Sequence, residues 1–177
     1  MNLNFIIFGT IEIIFAIIVA ILTFYLGFKA LSWFTKEYDD EKELKENNIA
    51  VAIISAMFLI CIGMALRIAS GPAISTLKNT LGSPGVDFLK ILSAVGLMAF
   101  HLAIGGLISI LSLFFAIFLF TKISPFKDLK SVMNNNIAVA IIIGAVMFIT
   151  ILLISDPLLF FLEGFIPQVD LPSPGLK

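Results

Sequence analysis

Charge is scarce in this 177-residue chain: charged residues make up 13% of it, against 60% hydrophobic residues. Soluble domains carry about 25% charged residues, so a water-covered globule is excluded. Basic charge is in no excess either. Eleven Lys and Arg stand against twelve Asp and Glu, a formal net charge of −1, which leaves no basic surface to neutralise phosphates and excludes nucleic acid as a partner. The single cysteine, Cys61, lies within an apolar run, so there is no intrachain disulfide and no cysteine-based metal or redox motif. His101 is the only histidine and has no second His or Cys at ligand spacing, a poor basis for a metal site. No Lys or Arg precedes Lys29; without the basic start of a signal peptide, the first apolar segment is expected to stay in place. No nucleophile, metal set or paired carboxylates converge, so the chain is expected to be no enzyme and to need no cofactor.

What is present in abundance is apolar sequence. Four runs stand out, from about Leu3 to Phe34, Asn47 to Ala69, Phe88 to Phe120 and Asn135 to Ser155. Each reaches the roughly 20 residues with which a helix crosses a bilayer. Ile11 to Leu22 shows none of the apolar and polar alternation of an outer-membrane barrel strand. The expected fold is therefore an all-α membrane protein with four transmembrane helices, its first partner the lipid bilayer.

The connections differ in kind. The turns over 35–46 and 121–134 are polar, whereas Ser70 to Asp87 holds Gly71, Pro72, Gly82, Pro84 and Gly85 with little charge and reads as a helix-breaking loop. Lys29, Lys36, Lys42, Lys45, Lys122, Lys127 and Lys130 fall on or beside the two polar turns. Positive charge marks the cytoplasmic side, so these turns are expected inside the cell membrane and both termini outside. Trp33, Tyr25 and Tyr38 suit an inner aromatic belt. Residues 157–177 are expected to form an interfacial segment and a Pro-rich tail, too short to span.

A duplication organises the rest. Asn47-Asn48-Ile49-Ala50-Val51-Ala52-Ile53-Ile54 recurs letter for letter as Asn135-Asn136-Ile137-Ala138-Val139-Ala140-Ile141-Ile142, each copy following a polar turn and opening an apolar run. Two runs separate the copies, so both halves have the same orientation. Repeat one covers about 3–70 and repeat two about 88–156 of a single membrane domain, as two tandem helical hairpins related by a pseudo-two-fold along the membrane normal. With Lys122-Ile123-Ser124-Pro125 leading into the second copy, the pattern resembles the YjfL-like family of uncharacterised inner-membrane proteins, built from two tandem two-helix units. The resemblance covers nearly the whole chain. It departs in the first turn, where Tyr38, Asp39, Asp40 and Glu41 stand in place of the proline. It implies a polytopic membrane protein and no particular activity.

Two sets of residues are functional candidates. Asn47, Asn48, Asn135 and Asn136 are placed to cap helices; the sharper reading brings the two Asn-rich helix starts together at the cytoplasmic mouth, where they would hold an anion or a carboxylate. Behind them run small residues at helical spacing, Ala52 and Ala56 in one half and Ala140 and Gly144 in the other, with Gly105 on the third run, all expected to let helices pack closely. The second set is ionisable residues inside apolar runs, which are functional candidates by default: Glu12, Arg67, His101 and Asp156. At about 1.5 Å per residue Glu12 lies roughly 33 Å from Phe34, Arg67 about 30 Å from Asn47 and His101 about 29 Å from Phe120. The hydrocarbon layer is about 30 Å thick, so all fall near its outer boundary. Glu12 with Arg67, and His101 with Asp156, are the expected pairs. A static ion layer is the plainer reading and a proton or ion pathway the sharper one.

The function these features imply is that of a structural or accessory subunit, forming a homo-oligomer or joining a larger membrane complex, with the 36–46 turn available to a cytoplasmic partner. A channel or transporter component is the alternative.

Overall fold

The computed structural model describes residues 3–34, 40–82, 87–123 and 134–166. Among them there is no strand. The chain runs through α1 (Leu3–Phe34), α2 (Asp40–Lys45), α3 (Ile49–Gly82), α4 (Phe88–Ile123) and α5 (Ile137–Glu163). All but the short α2 are long and apolar enough to cross a membrane, as the composition requires. In lipid every backbone N–H and C=O must find its partner inside the chain, and the helix achieves this within one segment.

Two boundaries differ from expectation, both at proline. The loop expected over Ser70 to Asp87 is helical as far as Gly82, with Pro72 buried inside α3. Likewise Pro157 lies inside α5, and residues 157–163 are its last turns in place of a separate interfacial segment; residues 167–177 of the expected tail lie outside the described residues. Gly and Pro break helices where water can take up the freed backbone groups. A spanning helix lacks that outlet, so its neighbours hold the chain helical through the proline, and hydroxyls beside it turn back onto the helix. Ser70 Oγ donates to the Arg67 carbonyl at 2.6 Å, and Thr76 Oγ1 to that of Pro72 at 3.0 Å. The polar turn before α3 also contains structure, the short α2, with Lys42 and Glu46 3.8 Å apart on its exposed surface.

α3 is the centre of the bundle and packs against α1, α4 and α5, while α4 and α5 pack on each other. Phe58, Ile62, Leu113, Met147 and Ile151 are fully buried between them, and Phe58 stacks on Phe114 with ring centroids 5.6 Å apart. Cys61 belongs to this core. The helices approach closely where side chains are small: a Cβ added to Gly105 would stand 2.6 Å from the Ala69 Cβ, and one added to Gly144 2.9 Å from Met57 Cγ. Ala140, Gly144 and Gly105 are buried. Ala52 and Ala56 are not. Both are exposed, because α3 turns Ala50, Val51, Phe58, Ile62, Ala65 and Ala69 inward instead.

The outermost helix is α1. Its buried residues Val19, Thr23, Gly27 and Leu31 recur every four positions, one stripe laid against α3. Only 17% of its most apolar window is buried, against 44% for α3. α4 packs extensively on α3, yet α1 makes no comparable contact with α5. A two-fold exchanging the hairpins would require that contact.

Candidate functional site

The first candidate site lies where α3 and α5 begin. Asn47 and Asn135 have φ of 60° and 58°, the left-handed region that Asn tolerates better than other residues with a Cβ. That bend swings the next residue into the capping position. Asn48 Oδ1 accepts the Val51 N–H at 3.2 Å, and Asn136 Oδ1 accepts the Val139 N–H at 3.2 Å. The identical octapeptides therefore fold into the same local turn, an αL Asn followed by a capping Asn.

The two turns meet. Asn135 Oδ1 accepts the Ala50 N–H at 3.1 Å, so the first Asn of one copy satisfies a free donor at the start of the other helix. Asn48, 6% exposed, also donates from Nδ2 to Glu43 Oε2 at 2.8 Å, tying α2 to the head of α3. The expected meeting of two Asn-rich helix starts is present. At the head of α3, backbone donors that would hold an anion are already bonded to Asn48 and Asn135.

The second candidate site surrounds His101, which is fully buried. Its Nδ1 lies 2.7 Å from the Leu97 carbonyl oxygen in its own helix, and its Nε2 lies 3.2 Å from the Leu162 carbonyl oxygen at the end of α5. The Leu162 carbonyl also accepts the Phe165 N–H at 3.1 Å. Phe100 and Phe165 meet the imidazole edge-on, with centroids 6.2 and 6.5 Å away. Both nitrogens thus face acceptors. A neutral imidazole has one N–H and can donate to only one of them, while the imidazolium can donate to both.

Of the two expected ionisable pairs, that of His101 with Asp156 is not formed. His101 faces carbonyls and not Asp156, which is exposed on α5. Arg67 is exposed on α3, and the pairing expected for it falls on Glu12, whose side chain lies outside the described residues. The partners that matter most, the carbonyl of Leu162 and the N–H of Ala50, are backbone groups and carry no letter in the sequence.

Four spanning-length helices around an apolar core define a polytopic helical membrane protein. The chain belongs to the family described as Domain of Unknown Function (DUF350), whose model matches residues 4–158. The match takes in both Asn motifs and His101. No curated protein and no solved structure matches the chain.

Proposed function

We propose that the chain is a non-enzymatic structural or accessory subunit of the cell membrane, oligomeric or attached to a larger membrane complex. The observation that carries this reading is that α1 makes no contact with α5 comparable to that of α4 on α3, which the repeat implies. The faces left open are apolar, with Ile13, Ile17, Ile21 and Phe24 exposed on α1 and Ile141, Ile149, Leu152 and Leu153 on α5. Another copy or a partner helix would supply that contact. The use of the Asn side chains in capping supports a structural role for the motif. The plan of the YjfL-like proteins, two tandem two-helix units, fits the duplicated octapeptide, and the lysines beside it favour polar turns in the cytoplasm. In that orientation α2 and its neighbours are open to a cytoplasmic partner.

A second reading, a channel or transporter component, is favoured by His101 alone, a buried titratable ring between two carbonyl oxygens. Reconstitution in liposomes separates the two. A structural subunit gives no pH-driven flux above that of empty liposomes. A proton pathway gives a flux that His101→Ala abolishes in a normally folded protein, and that result would overturn the first reading.

A further inference from the structure

The uncovered side of α1 borders a groove of about 580 Å³ whose walls are α1 and α3. Its floor is cut from small residues, Ala16, Ala20, Ala56 and Gly63, and Arg67 and Ser70 lie along the same groove. On α3 the groove face includes Ala56, next to Met57, which packs under Gly144 of α5.

We infer that this groove binds a glycerophospholipid of the surrounding bilayer, with an acyl chain on the small-residue floor and the phosphate on Arg67. Three observations converge on that occupant. First, Arg67 is the only charged residue between Ile49 and Leu77, and it is exposed beside the groove. A guanidinium offers forked donors that match a phosphate. Ser70 spends its hydroxyl proton on the Arg67 carbonyl and so offers a phosphate no donor, which leaves recognition to the guanidinium. Second, the length fits: from Ala56 to Arg67 the helix rises about 16 Å, roughly half the 30 Å hydrocarbon layer and so about the reach of one acyl chain from its phosphate. Third, charge complementarity selects lipid over a second copy. An apolar helix laid across Arg67 would bury a cation in hydrocarbon at considerable cost, whereas a phospholipid brings its own anion to the guanidinium.

The test uses the full chain, stripped of lipid in detergent and titrated with dioleoyl phosphatidylglycerol, with bound lipid counted by native mass spectrometry. The wild-type chain is expected to retain the lipid, and Arg67→Gln to hold it about tenfold more weakly or worse, the scale of a lost charge-assisted hydrogen bond. Ala56→Leu, which fills the floor and leaves Arg67 in place, should weaken binding comparably, so the inference remains testable if Arg67→Gln does not fold. Dioleoylglycerol, which lacks the phosphate, should bind the wild type as poorly as phosphatidylglycerol binds Arg67→Gln. Undiminished retention by both variants would overturn the inference. So would displacement of the lipid by inorganic phosphate, the mark of a free-anion site, or disulfide cross-linking between copies carrying Ala20→Cys, the mark of a second chain in the groove.

Discussion

At the scale of single residues, the duplicated asparagines divide two tasks between neighbours. Asn47 and Asn135 supply a backbone bend, and Asn48 and Asn136 supply a cap. The tasks respond differently to substitution. Asn48→Ala removes the cap and the bond to Glu43 and should cost about 1–2 kcal/mol, read from unfolding in detergent. Asn47→Gly keeps the bend, since glycine enters positive φ without strain, and should change stability by no more than about 0.5 kcal/mol. Asn135→Gly should cost more than Asn47→Gly, because it also strips the acceptor from the Ala50 N–H. At the other end of the bundle, His101→Ala should cost about 2–4 kcal/mol from the lost hydrogen bonding and the cavity left in a fully buried place. The capping role was legible from the letters, since Asn ahead of an apolar run has few other uses. The crossing from Asn135 to Ala50, and the placing of His101 on Leu162, were not legible, because a backbone group accepts or donates whatever its residue type.

At the scale of helices, the four long segments followed from hydropathy alone, while their continuation through Pro72 and Pro157 did not. Helix-breaking rules assume that water competes for the backbone, and these turns belong to helices that lie in lipid or against one another. The packing faces show a related limit. Ala52 and Ala140 occupy the same place in identical octapeptides, yet Ala140 is buried and Ala52 exposed. Spacing identifies residues that share a face, but a neighbour must be present to cover it. α4 approaches α3 closely at Gly105. Gly105→Ala should destabilise by about 1–3 kcal/mol through overpacking, and Ala69→Gly should restore much of that loss in the double variant, since the added methyl meets the Ala69 Cβ. Gly96→Ala, on the same helix with nothing within 4 Å of the added carbon, should be neutral or mildly stabilising. Equal losses at Gly96 and Gly105 would argue against the α3 and α4 contact.

At the scale of the whole molecule, one chain packs its helices unequally. The sequence duplicates an octapeptide, and the fold repeats its local turn, but α4 packs extensively on α3 while α1 makes no comparable contact with α5. The scarcity of charge explains why such a chain can persist: its exposed isoleucines and phenylalanines face lipid, which penalises neither exposure nor coverage, so the bilayer alone does not force α1 home. Association then depends on shape and on a partner. The most direct measurement of the proposed role is the subunit stoichiometry of the full chain after extraction in a mild detergent and capture by an affinity tag. A fixed complex, containing more than one copy or a second membrane protein in constant ratio, is the predicted result. A lone chain, recovered without partners over a range of mild detergents and remaining monomeric when returned to lipid, would contradict it.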